Sequence, residues 1–245
     1  MFIVDKIIES REKNPIAIIK GLTLRIEADC NIDDLELIAK DKISQCMEEM
    51  AKRCDDTLKK KLSRSECTLK NGRILHLDGD KTYSEKANTY YKDLNLDAIV
   101  KNVKEIQQPV VVWQLLNRYK PDVIIITGHD GMLKNGNNYN DINNYRNSKY
   151  FAETTNTARK WSEDLVIFAG ACQSYFEEIM QNGANFASSP GRVLIDFIDP
   201  LMVAKKVATS EDNRFITAHE IASNLREGSR ALGGKGSKGK RKHVI

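Results

Sequence analysis

Val123-Ile124-Ile125-Ile126-Thr127-Gly128-His129-Asp130 and Leu165-Val166-Ile167-Phe168-Ala169-Gly170-Ala171-Cys172-Gln173-Ser174 decide how this chain is read. Each is a short run of apolar, largely branched residues that stops at small residues and then presents one reactive side chain. Apolar on both faces, such runs form strands buried within a parallel sheet, and open α/β sheets bind their ligands at the carboxyl ends of such strands. One end delivers His129 and the other Cys172. A base and a sulfur nucleophile on two strand ends make the constellation of a cysteine hydrolase.

Working outward, strand and helix patterns alternate. Arg73 to Leu77 reads as a strand ending in Asp78-Gly79-Asp80, Tyr83 to Leu94 as a helix, and Ala98 to Val100 as a short strand. Gln107 to Tyr119 reads as a helix with Pro109 in its first turn, although Val110-Val111-Val112 also suits a strand. A polar, Asn-rich loop occupies 131–147, Ser148 to Trp161 is helical, and a helix is expected from Gln173 to Asn182. Ala184 to Ala187 reads as a further strand, Val193 to Ile198 as another candidate, 200–208 stays open, and Ala218 to Arg226 reads as helix. Such alternation predicts an α/β fold, a doubly wound, mainly parallel sheet with right-handed crossovers.

Four regions are expected. Residues 1–40 form a small β-rich module with strands at Phe2 to Val4, Ile16 to Ile19 and Leu22 to Ile26. Three strands cannot close a barrel, so this is either a small sheet or one lacking a strand before Met1; a scaffold role without chemistry is expected for it. Residues 41–70 form a charged helical connector, with Ile43, Met47, Met50, Cys54 and Leu58 making one apolar stripe. Residues 71–232 are the α/β domain, and 233–245 a Gly/Lys-rich tail expected to be mobile.

The totals exclude several classes. The net charge is +4, and Lys235, Lys238, Lys240, Arg241 and Lys242 account for the excess, leaving 33 basic against 34 acidic residues. A basic tail alone is a poor argument for nucleic-acid binding, which is not expected. Five cysteines, an odd number without Cys-x-x-Cys spacing or a secretory signal, point to reduced thiols inside a cell. No apolar run reaches the ~20 residues that span a bilayer, so no membrane partner is expected. The expected location is cytoplasmic. No cofactor and no metal are expected.

Small neighbours let the chain turn sharply at Cys172, and a helix starting at Gln173 would aim its positive end at the thiol and favour thiolate. The competing reading is a packed, inert thiol. His129, directly after a strand, is the candidate general base; His76, His219 and His243 are placed less well. Backbone N–H groups around Gly128, Asp130, Gly170 and Ala171, or at Cys172, are candidate oxyanion donors. Asp78-Gly79-Asp80-Lys81-Thr82 resembles the first motif of the haloacid-dehalogenase phosphotransferases. That resemblance implies a magnesium-dependent nucleophile at Asp78 and an acid at Asp80, with Thr127 and Asp196 or Asp199 in supporting positions. The alternatives are a helix cap, or anions that receive a basic substrate side chain.

Longer stretches resemble the YabG family of sporulation-specific proteases: Leu75-His76-Leu77-Asp78-Gly79-Asp80, Ile126-Thr127-Gly128-His129-Asp130, Tyr145-Arg146-x-Ser148-Lys149, Phe168 to Ser174, and Gly183 to Pro190. The resemblance implies a cysteine endopeptidase that processes spore coat and cortex-associated proteins, prefers basic residues, and uses Cys172 and His129. It also implies a place in the mother cell or developing spore, with coat association. The pattern is similar as well to the caspase, legumain and clostripain group, with Asp130 where that group has Gly. The family carries a further β-segment before the point where this chain begins, and its end is less basic. For a basic substrate residue, Asp78, Asp80, Asp130, Asp196 and Asp199 are the candidate pocket anions. The loop at 131–147 and the tail are the segments open to self-cleavage. A non-catalytic spore-coat scaffold is the remaining alternative.

Overall fold

Strand β6, Val123–Thr127, lies at the centre of the larger sheet, and none of Ile124, Ile125 and Ile126 is exposed. Removing one such side chain from water is worth roughly 1.5–3 kcal/mol, so a run apolar on both faces is stable only between two layers. The structure, a computed structural model, describes residues 1–9, 14–49, 52, 71–133, 138–211 and 214–239. Its six-stranded sheet runs in the order β5-β4-β6-β7-β8-β9, adding β4 (Ile74–Asp78), β5 (Ala98–Asn102), β7 (Val166–Ala169), β8 (Phe186–Ser188) and β9 (Leu232–Gly234). The first five are parallel and β9 is antiparallel at the edge.

Helices cover both faces. On one side α2 (Lys81–Asp93), α6 (Ile198–Ala208) and α7 (Ala218–Ala222) pack Tyr83, Tyr91, Leu201 and Ile221 against Ile125 and Phe168. On the other, α3 (Gln108–Tyr119), α4 (Ser148–Trp161) and α5 (Phe176–Gln181) pack Val112, Leu116, Phe151 and Ile179 against Ile124, Ile126 and Ile167. This is a doubly wound α/β fold, consistent with a caspase-like one. The register aligns Asp78 with Thr127 and Ile126 with Ala169, so the residues following three central strands emerge along one edge.

The N-terminal sheet is antiparallel, β1 (Phe2–Ile8), β2 (Ile16–Gly21) and β3 (Glu27–Asn31) in that order. Here the expected third strand is corrected. Leu22 to Ile26 leaves the small sheet and runs over the large one, through isolated bridges of Leu24 with Asp196 and Ile26 with Asp130, and β3 is the next five residues. The expected strand at Val193 to Ile198 is also absent; apart from that bridge the segment is unpaired, and α6 begins at Ile198.

Two more expectations change. Gly233 and Gly234, read as part of a mobile tail, form β9; a Cβ on Gly234 would lie 2.2 Å from the Asn185 carbonyl oxygen, so the strand approaches only because it has none. The connector is helical over residues 40–49 (α1), and apart from residue 52 the rest of the stretch to 70 lies outside the described residues, with Cys54 and Cys67.

Candidate functional site

The fold brings the loop after β6 and the turn after β7 together under the segment 22–27. Arg25 is central to the meeting. Its carbonyl oxygen accepts the backbone N–H of Cys172 and that of Asp130, each at 3.2 Å. A carbonyl held by two N–H donors on adjacent strand ends is the arrangement that stabilises a developing oxyanion. Among the other candidate donors, the Gly170 N–H bonds the Ile126 carbonyl and the Ala171 N–H bonds the Ser174 hydroxyl, so both are spent. Gly128 serves another purpose: a Cβ there would lie 2.2 Å from the Glu105 carboxylate.

Cys172 is fully buried. Its Sγ accepts the Ile195 N–H at 3.2 Å and lies 3.6 Å from the Ile195 carbonyl oxygen, between Ile26 and Ile195. The expected helix start is corrected, because α5 begins only at Phe176 and has six residues, after a turn with positive φ at Gln173. Without a helix end at the sulfur, burial dominates and pushes the thiol up to about 12, with the Ile195 N–H opposing. His129 is 1 % exposed, its ring stacks on Tyr83 at 5.6 Å between centroids, and its Nε2 has no partner. Burial lowers its pKa to about 4. Under the covering segment, both groups are therefore neutral.

Glu105, unmarked in the sequence, carries the His129 loop. Its carboxylate fills the spaces left by Gly79 and Gly128 and accepts the His129 N–H at 2.8 Å. Burial pushes the carboxyl up to about 7. A folded-state pKa raised above the ordinary 4.5 means that its contribution to stability is complete below about 4.5 and lost as pH rises through 7. Glu105→Gln keeps an oxygen to accept the N–H and carries no charge. The variant should be more stable than wild type at pH 8, by an amount on the order of 3 kcal/mol, and equal to it at pH 4. Denaturant melts at the two pH values test this; equal stability at pH 8 would refute it.

The Asp130 side chain locks the two carboxyl-edge loops together. It accepts the N–H groups of Gly131 and Asn147 and the hydroxyls of Ser148 and Ser174, the last from the Cys172 turn. With these bonds made inside the protein it faces no substrate pocket, whereas its own N–H meets the Arg25 carbonyl.

Beyond the carbonyl, the Arg25 side chain fills a slot walled by aromatic rings. Its guanidinium carbon lies 4.7 Å from the Tyr83 centroid and 5.6 Å from that of Phe197, and Nη1 donates to Asp78 Oδ2 at 2.7 Å. Arg25 and Asp78 are both completely buried. Burial would raise the Asp78 carboxyl, but the Arg25 guanidinium, the His76 ring and the Asp80 N–H together outweigh it and hold the group well below the usual range. Asp78 also accepts the Asp80 N–H and the Thr127 hydroxyl. With Thr127 donating forward, His76 donates from Nε2 to Thr127 and accepts the Tyr91 hydroxyl on Nδ1, so a directed string fixes the carboxylate.

The remaining acidic candidates stand apart from the guanidinium. Asp80 caps α2, accepting the Tyr83 N–H at 2.9 Å. Asp196 bridges to Leu24 through the main chain, and Asp199 accepts the Asp196 N–H. Burial raises the Asp199 carboxyl to about 7. No group of three or more His, Cys, Asp or Glu side chains placed to share a metal ion occurs among the described residues.

A sheet of this order, with a thiol, an imidazole and two N–H groups on one carbonyl at its carboxyl edge, makes this an α/β protein consistent with a caspase-like fold. The comparisons place it more closely. The family model of the YabG peptidase U57 matches residues 1–245. The sporulation-specific protease YabG of Bacillus subtilis (strain 168) is 34% identical over 263 residues, covering 98% of this chain and 90% of that protein. This chain belongs to the YabG peptidase family. No solved structure matches it significantly.

Membership makes it a peptidase and sets aside the phosphatase and scaffold alternatives. No helix among the described residues is long and apolar enough to cross a membrane.

Proposed function

We propose that the chain is a cysteine endopeptidase of sporulation that cuts proteins on the carboxyl side of arginine. The observation that carries this reading is one residue held at both ends: the Arg25 carbonyl rests on the N–H groups of Cys172 and Asp130 while its guanidinium pairs with Asp78. A substrate arginine in the same place puts its carbonyl carbon beside the Cys172 turn and its charge on a carboxylate already oriented by Thr127 and Asp80.

His129 withdraws the Cys172 proton, the sulfur attacks the carbonyl carbon, and the two N–H groups take the negative charge that forms on oxygen. Protonated His129 then supplies the proton that the leaving amine needs, and water hydrolyses the thioester. With a substrate in place of the covering segment, water reaches both side chains and their pKa values move back toward ordinary ones, which makes proton transfer from sulfur to imidazole accessible. The substrates are proteins of the spore coat and cortex, met in the cytoplasm of the mother cell or developing spore; the membership in a sporulation protease family supports this setting.

A quenched peptide with a single arginine tests the mechanism. Iodoacetamide should abolish its cleavage and a chelator should leave the rate unchanged. Resistance to alkylation together with loss on chelation would overturn the reading.

A further inference from the structure

The geometry points to the Arg25–Ile26 peptide bond of this chain as a self-cleavage site, residues 22–27 lying in the groove as a built-in first substrate that covers it. The inference rests on the peptidase reading above and goes beyond it by naming the bond. The main chain supports it on both sides. Before the bond, Leu24 pairs antiparallel with Asp196; after it, Ile26 pairs parallel with Asp130, and the Glu27 N–H donates to the Asp130 carbonyl at 2.9 Å. This is how a peptide strand is added to a receptive edge, main chain on main chain with one side chain in a specific slot.

That slot holds a complete arginine. Its Nη1 is paired with Asp78 and its plane lies against Tyr83 and Phe197, while Nε and Nη2 make no hydrogen bond to a protein atom. Carbonyl and charge are thus both placed by the site.

The segment is tethered at both ends. Arg146 pairs with Glu27 and Asp29 after the bond, and before it β2 is in register with β3 from Ile16↔Asn31 to Lys20↔Glu27. Gly131 leaves room for the chain, since a Cβ there would lie 2.2 Å from the Glu27 carbonyl oxygen. The bond is thus held where an intramolecular reaction has a high effective concentration.

The reaction balances with water as the only co-reactant. His129 takes the Cys172 proton, Sγ bonds to the Arg25 carbonyl carbon, and the C–N bond to Ile26 breaks as His129 passes the proton to the Ile26 nitrogen. The Ile26 amine moves away and water enters. His129 takes a proton from that water, its oxygen bonds to the carbonyl carbon, the C–S bond breaks, and the proton returns to sulfur. Arg25 ends as a carboxylic acid that gives its proton to the Ile26 amine, leaving a carboxylate and an ammonium. Residues 1–25 then remain held without a covalent link, through the β2–β3 ladder, the Leu24–Asp196 bridge and the Tyr83 hydroxyl bond to the Gly21 carbonyl, and their departure leaves the slot open.

The test uses the full-length chain as wild type, Cys172→Ala and Arg25→Gln, followed by intact mass and N-terminal sequencing, with a quenched arginyl peptide read in parallel. The wild type should give a new terminus at Ile26, and its peptide-cleaving rate should rise as that terminus accumulates. Cys172→Ala should stay whole. Arg25→Gln should show no Ile26 terminus and, with its segment 22–27 uncut over the groove, cleave the peptide at least tenfold more slowly than the matured wild type. Should Arg25→Gln fail to fold, Arg25→Lys keeps the cation and should gain the Ile26 terminus at least tenfold more slowly than wild type. A wild type that cleaves the peptide at full rate from the start, with no Ile26 terminus, overturns the inference and leaves the peptidase reading standing. A wild type that cuts neither itself nor the peptide overturns both.

Discussion

Replacing Cys172 by Ala should lower cleavage of an arginyl peptide by a factor on the order of 10⁴ or more, with the fold retained. The size follows from the part that the sulfur plays: it forms the bond, so nothing else in the site substitutes for it, and knocking out the nucleophile of a peptidase removes nearly all the acceleration that the dyad supplies. The fold should tolerate the change because the lost group is small and its partners, the N–H and carbonyl of Ile195, are main-chain atoms. The affinity for an arginyl product should persist, since the slot around Asp78 and the cradle N–H of residue 172 remain. Fluorescence anisotropy of a labelled arginyl peptide, beside the cleavage assay, separates binding from chemistry. Residual turnover within tenfold of wild type would show that the sulfur is not the nucleophile.

Asp78→Asn should act on selectivity. Among the described residues Asp78 is the one carboxylate bonded to the buried guanidinium, so an arginine entering the slot of the variant finds no counter-charge. Removing one partner of a buried, hydrogen-bonded charge pair costs about 2–5 kcal/mol, a fall of roughly 30- to several thousand-fold in kcat/KM for an arginyl peptide. The neutral citrulline analogue has nearly the same shape and should lose far less. The informative quantity is the ratio of the two substrates: strongly in favour of arginine in wild type and near one in the variant. A ratio is also insensitive to partial unfolding, which matters because Arg25 itself is left without its partner. An unchanged preference in the variant would remove Asp78 from the slot.

The two apolar runs were legible because Ile124 to Ile126 and Val166 to Phe168 are buried on both faces, and only a covered parallel sheet tolerates that pattern. α4 was read from Ser148 to Trp161, and α3 was found with Pro109 in its first turn, since proline costs nothing where the N–H has no helical partner. Arg25 was hidden by a rule that normally works. In Leu22-Thr23-Leu24-Arg25-Ile26, strict alternation sends Thr23 and Arg25 to water and the leucines inward. The structure reverses this: Arg25 is fully buried and Leu22 and Leu24 are only partly so, because the segment lies across a cleft that holds a carboxylate. Asp78 and Asp80 could not be told apart from their spacing, since one enters the slot and the other turns back to cap α2. Glu105 was equally hidden, a charged residue in a connection whose place is set by the missing side chains of Gly79 and Gly128.

Tripeptidyl acyloxymethyl ketone ending in arginine, a reagent that captures an activated thiol next to a bound arginine, tests the central claim most directly. Incubated with the full-length chain and followed by peptide mapping, it should place one adduct on Cys172, and His129→Ala or an excess of free arginyl peptide should suppress that adduct. Inactivation with Cys172 unmodified, or labelling spread evenly over Cys30, Cys46 and Cys172, would contradict a Cys172–His129 peptidase built for arginine.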